Sequence, residues 1–271
     1  TLGFLAGAAA GATVALLIFV CSVTLRLSQV AVGFVLAFTC RDLAYFLGAP
    51  FMDVSGPRLF ACPVSGLNQL PVLGPVLFSQ DLLTYGSLGL IAAAWFWVYR
   101  SRPGLVLQAV GEHPEAAFVR GISVNSCRCL YTVLGGALAG LAGPVYSLSV
   151  KAGWKGTISG LDGMGWIVLA ITIFGGWNPL RAAAGAYLFA LLQWLGLVLQ
   201  PVLPELPVQV FQVAPFPLMI LTLLLVNLGQ TDWIERSLAK LPGEIRPAVA
   251  RVIRFLKASP PAALGRPFHH P

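Results

Sequence analysis

Charge is scarce in this sequence. Asp, Glu, Lys and Arg make up 10% of its 271 residues, against roughly 25% in an average soluble domain. Such a chain cannot clothe a water-facing surface in the ordinary way. Acidic residues are rarer than basic ones, ten against seventeen, for a net charge of +7. A nucleic-acid binder gathers such an excess into a patch. Here seven of the seventeen basic residues follow Gly229 and most others flank apolar runs, so nucleic acid is not the expected partner. Long alternating apolar–polar stretches are missing, which argues against a β-barrel. No G-x-x-x-x-G-K-[ST] segment is present, so the chain is not expected to cradle nucleotide phosphates or to bind a cofactor itself. The five cysteines (Cys21, Cys40, Cys62, Cys127 and Cys129) show no pairing pattern. Cys127 and Cys129 form C-x-C without a histidine or second pair nearby, so no metal site is expected. His113 lacks a nucleophile or metal partner in the sequence, and no enzyme is read from it. A basic leader is absent too. The chain opens on Thr1, turns apolar at once and reaches its first positive charge at Arg26, so earlier membrane spans are expected to precede it.

What the sequence has instead is apolar length. Hydrophobic residues make up 57%, mean hydropathy is +0.82, and several windows of about 20 residues carry no charge, enough to cross a hydrocarbon core of about 30 Å. The expected fold is all-α, a polytopic transmembrane helical bundle of about seven segments. These are 2–20, 30–47, 82–99, 130–150, 163–174, 180–199 and 208–228. The transmembrane domain covers 1–229, and a basic tail covers 230–271. Placing 100–128 and the tail inside makes every other connection consistent and puts the start of the first span outside. An odd number of spans upstream would then complete the protein.

Several details sharpen this reading. Gly3, Gly7 and Gly11 in the first run, and Gly136 and Gly140 in the fourth, repeat the spacing that lets helix backbones approach closely. Arg41 and Asp42 lie well inside the second run; neighbours on a helix point about 100° apart, so they cannot simply face each other. They are expected to snorkel toward the outer surface. Five prolines between 48 and 80 break any long helix, and the paucity of Lys and Arg there places this loop outside. Gly175-Gly176 and Asn178-Pro179 split 163–199 into two spans. Val249, Val252, Ile253 and Leu256 share a helical face suited to an anionic leaflet, a solvated tail being the alternative.

The chain is organised around Arg100–Gly143, a polar segment between two apolar runs. Within it, GEHPEAAFVRGI reads as one short helix, with Pro114 at the first helical position, Glu115 complementing the N-terminal dipole and Gly121 terminating it. A rigid helix on an inner loop is a place for a soluble partner to dock. The candidate docking residues are Glu112, Pro114, Glu115, Ala116, Ala117, Phe118 and Gly121, with Arg120 pairing an acidic rim. Trp154, Gly163, Gly165 and Trp166 are candidates for the substrate path, stacking on a ring-shaped solute; interfacial tryptophans are the alternative.

AVGEHPEAAFVRGISVNSCRCLYTVLGGALAGLAG (109–143) resembles the permease subunits of bacterial ABC importers for simple sugars, nucleosides and branched-chain amino acids. GWIVLAITIFGGWNPLRAAAGAYLFALLQ (165–193) and PAALGRPF (261–268) are similar to its nucleoside-like subgroup. The resemblance implies a multi-pass protein of the cytoplasmic membrane with its C-terminus in the cytoplasm. It implies two permease subunits, alike or different, and two ATPase subunits that use the ATP. An extracytoplasmic binding protein would feed them, and the family's earliest spans would precede Thr1. Cys40-Arg41-Asp42 departs from the small uncharged residues usual there. The expected cargo is a nucleoside or related sugar, with a branched-chain amino acid as the alternative. An ion-coupled transporter would need carboxylates inside the bundle, and only Asp42, Asp81 and Asp162 are available. A scaffold without a transport path would need no docking loop.

Overall fold

The computed structural model describes residues 2–52, 54–59, 62, 78–154, 156, 163–201, 217, 220, 221, 224, 260–266 and 268. The expected segment 208–228 (apart from those few positions), Asp162 and the amphipathic 249–256 lie outside them. The chain divides into two compact units: Thr1–Gly160 with Pro261–Pro271, and Leu161–Pro260.

In the first unit, α1 (Leu2–Phe19) continues as a π-helical turn through Thr24, and α2 (Gln29–Gly48) follows after Ser28 caps it. Then come α3 (Leu82–Arg100), α4 (Arg102–Glu112), α5 (Pro114–Val119) and α6 (Val124–Val145), the last extended by a π-helical turn to Val150. Four stretches are long and apolar enough to cross a membrane among the described residues: Leu2–Thr24, Gln29–Phe51, Leu82–Arg100 and Val124–Val150. They coincide with the first four expected segments, although α6 starts six residues earlier than its apolar run because Val124 is drawn into the loop. Their surfaces are largely exposed within this chain, as Phe34, Phe38, Phe46 and Phe96 show. That suits elements whose outer faces meet lipid or other subunits.

The α1–α6 pair holds the unit together, and glycine is the reason. A methyl built on Gly7 would lie 2.8 Å from the Gly140 carbonyl oxygen, and one on Gly11 would overlap the Gly136 carbonyl; the reciprocal positions are equally closed. The matching of 7 with 140 and 11 with 136 makes the helices antiparallel. Lipid tails offer helices no hydrophobic drive to associate, so backbone-to-backbone dispersion contact is what binds such a pair. Gly3, Gly135 and Gly143 meet nothing within 4 Å and take no part.

Antiparallel α1 and α6 sort the unit into two ends. At one end lie the α1–α2 turn, α4, α5 and the start of α6, carrying Arg26, Arg100, Arg102, Arg120 and Arg128. At the other, Met52 bridges Trp154, the Leu59 amide donates to the Leu148 carbonyl at 3.3 Å, and Asp81 meets Ser149. Arg41 lies toward this second end of α2, its guanidinium 5.4 Å from the centre of the Tyr45 ring, while Asp42 is exposed.

In the second unit, α7 (Met164–Phe174) and α8 (Pro179–Leu199) form a helical hairpin. Gly176 and Trp177 both take left-handed conformations, with φ of 59° and 57°. The Asn178 side chain then caps α8 by accepting from the Leu180 amide at 3.0 Å and the Arg181 amide at 3.5 Å. The break expected at Gly-Gly and Asn-Pro falls here. At eleven residues α7 is about 16 Å long, roughly half a hydrocarbon core.

Candidate functional site

The polar connection is two helices instead of one. Ser101 ends α3 and starts α4: its hydroxyl accepts from the Gly104 amide at 3.1 Å, and Pro103 occupies the first turn, where its missing N–H costs nothing. Gly104 lies so close to the Trp97 and Val98 carbonyls that any β-carbon would collide with them. The Gln108 amide donates to the Val98 carbonyl at 2.6 Å, and the Tyr131 hydroxyl donates to the Pro103 carbonyl while accepting from the Trp97 indole. The corner between α3 and α4 is thereby fixed to α6.

Beyond it, His113 interrupts the helix and Pro114 restarts it as α5. The Ala117 amide donates to the His113 carbonyl at 3.0 Å, and Gly121, with φ of +84°, closes the helix through its amide to the Phe118 carbonyl at 2.8 Å. Gly121 therefore terminates α5 as its position in the sequence suggested. Under α5 sits a small core of Val110, Ala117 and Val124, 3%, 4% and 2% exposed, with Phe118, Ile122, Cys127 and Phe268 packed around it. The core explains why α6 begins at Val124.

This packing divides the expected docking residues into two sets. Ala117 is buried and Phe118 is half-buried, its ring centre 5.7 Å from that of Phe268. A large group at position 117 would therefore break the core of the loop before it reached any partner. Pro114 is also half-buried, whereas Glu112, Glu115, Ala116, Arg120 and Gly121 are exposed. Val119, which the sequence reading did not select, is 83% exposed. Nothing in the sequence distinguished it: Ala116, Ala117 and Val119 are all small and apolar, and only the packing buries 117 and leaves 116 and 119 outward.

The second component is the chain's own C-terminal segment. The Ala263 amide donates to the Gly111 carbonyl at 2.9 Å, the Ala262 amide to a Glu112 carboxylate oxygen at 3.4 Å, and the Arg128 guanidinium to the Arg266 carbonyl at 3.1 Å. Between this segment and α5 lies a cleft of about 380 Å³, with Glu112, His113 and Glu115 on one wall and Arg266 on the other.

The substrate-path candidates fall in different units. Trp154 packs against Tyr45 (ring centres 6.0 Å apart) and Gly48 near the end of α2, and its indole nitrogen is buried without a hydrogen-bond partner. In the second unit Gly163, at φ 85°, stands before α7; Gly165 has open space where a β-carbon would lie, and Trp166 is 55% exposed. At the Trp154 end, hydroxyls of Ser149 and Thr84 donate to Asp81 and hold its carboxyl below the usual carboxylate range. Asp81 also caps α3 through the Thr84 amide at 3.0 Å. Among the described residues no cluster of His, Cys, Asp and Glu is arranged to hold a metal ion.

Comparison with known proteins agrees with this architecture. The family described as the permease component of the branched-chain amino acid transport system matches residues 1–223. A Haloferax volcanii ABC transporter permease protein, provisionally named for glucose, is 37% identical over 72% of this chain and 60% of its own length. A nucleoside ABC transporter permease protein of Lactococcus lactis is 34% identical over 83% of the chain and 72% of its own. A guanosine ABC transporter permease protein of Bacillus subtilis is 32% identical over 82% and 72%. No solved structure matches. Helical membrane spans, an ordered connecting loop and a family match across most of the chain converge, and the protein belongs to the permease component family of the branched-chain amino acid transport system.

Proposed function

We propose that this chain is the membrane-spanning permease subunit of an ATP-driven importer, carrying a nucleoside or related sugar across the cytoplasmic membrane. A separate ATPase subunit would dock on α5. The observation that carries this reading is Val119. It is 83% exposed on a six-residue helix that lies outside the membrane spans, and with Ala116 it gives the outer face of α5 an apolar strip that a partner can cover. Ala116 beside it leaves room for close approach, and Glu115 and Arg120 offer charges of both signs at the margin.

The arginines Arg26, Arg100, Arg102, Arg120 and Arg128 gather at the α5 end of the unit, a bias that supports a cytoplasmic placement for that end. The ATPase subunit, driven by its nucleotide, would move α5 as a rigid body, and α4 and α6 would carry that motion into the spans. A second permease subunit would cover the apolar faces left exposed here, and an extracytoplasmic binding protein would deliver solute at the Trp154 end. The cargo assignment rests on relatives named for nucleosides, guanosine and glucose; the family description favours branched-chain amino acids as the second reading.

In the assembled transporter, Val119→Asp is expected to abolish retention of the ATPase subunit on purification, together with uptake of labelled nucleoside, without lowering the amount of folded permease. Wild-type uptake should survive ionophores that collapse ion gradients and stop when the ATPase is inactivated. Uptake that follows a proton or sodium gradient and ignores the ATPase would overturn the proposal.

A further inference from the structure

The helix proposed to receive the ATPase does not hold its position by its local core alone. Its buried face is completed by residues about 150 positions away: Phe268 covers Phe118, Ala263 donates to Gly111, and Arg128 at the start of α6 donates to Arg266. The Gly111 carbonyl and the Glu112 carboxylate, both engaged by the segment, sit at the C-terminal end of α4, immediately before the His113 break. The segment thus spans the joint between α4, α5 and α6. Motion of α5 reaches the membrane through that joint.

We infer that residues 261–266 and Phe268 are a clasp that sets the pose of α5, making the C-terminal segment part of the energy-coupling site. This inference rests on the ATPase-docking reading of α5. Phe268 is a positioning residue: it acts on the partner through Phe118. Without the clasp, α5 still forms through its own hydrogen bonds, but Phe118 loses the ring that covers it, and the helix is free to rotate about the His113 break. The ATPase then meets a helix in many orientations, so binding weakens and hydrolysis is transmitted less completely.

The test uses the full transporter with its ATPase subunit. Phe268→Ala is expected to weaken ATPase retention about tenfold, the factor to which roughly 1.4 kcal/mol corresponds, and to lower uptake per ATP hydrolysed; Phe268→Tyr should keep both. If Phe268→Ala keeps wild-type retention and coupling while Val119→Asp abolishes them, the clasp is wrong and the docking reading stands. If Val119→Asp changes neither, the docking reading falls and the clasp with it.

Discussion

Two regions of the first unit are held together by opposite means. Between α1 and α6, the contact is made of what is missing: four glycines let two backbones touch, and any side chain would separate them. Around α5, the contact is made of what is present: Val110, Ala117, Val124 and two phenylalanines fill a small core, closed by hydrogen bonds from a remote segment. The difference follows from the solvent. In lipid, burying an apolar side chain gains little because the tails are equally apolar, so close approach decides the packing. In water, burying the same side chain removes it from an unfavourable medium, about 25 cal/mol per Å², and a handful of residues can order a loop.

The largest effect should come from breaking the glycine contact. Gly136→Leu forces its β-carbon into Ala15 and the Gly11 backbone, which cannot yield as a flexible side chain would. A cost at or above the usual ~1–3 kcal/mol of overpacking is expected, seen as a large fall in the thermal unfolding temperature in detergent. Gly135→Leu, one residue earlier with open space around it, should be close to neutral. Equal losses from the two variants would mean that α1 and α6 do not meet as described.

A smaller effect should follow from eroding the core under α5. Val124→Ala removes two methyl groups from a fully buried site, for a loss of about 2 kcal/mol once the residual cavity is included. Limited proteolysis should show faster cleavage between 111 and 123, while the α1–α6 pair resists. Cleavage spreading evenly through the chain would erase the distinction between the two regions.

The smallest effect tests a third kind of join, the polar one at the far end of α6. Asp81 is held in its charged form by Ser149 and Thr84. A carboxyl lowered in the folded state contributes stability that is fully present above its unfolded value of about 3.9 and is lost as pH falls through the folded value. Wild type should therefore exceed Asp81→Asn in unfolding temperature at pH 7, and the gap should begin to shrink below about pH 4 and narrow further as the pH falls through the folded value. A gap that does not shrink at all as the pH is lowered from 7 into the acid range below about 4 would mean that the charge is not what matters there.

Much of this was legible along the chain. The four long spans follow from uninterrupted apolar runs, and Asn178-Pro179 announces the α7–α8 turn, because an amide side chain that caps and a ring that fixes φ act locally. The pairing of Gly7 and Gly11 with Gly136 and Gly140 was half legible: the spacing marked both faces, but nothing marked them as partners. For α5, position and length were readable from Pro114 and Gly121. Its orientation was not, since Ala117 and Val119 look alike as letters.

What the sequence alone determined, then, is everything that depends on near neighbours and on solvent: membrane residence, helix limits, and the loop that interrupts them. Tertiary structure alone decided which glycines face each other and which side of α5 is buried. It also decided that residues 261–266 and Phe268 return to complete that loop. The glycine pairing and the returning segment depend on contacts between positions more than a hundred residues apart, and the core under α5 on packing across two helix breaks, where no periodicity or local preference carries information.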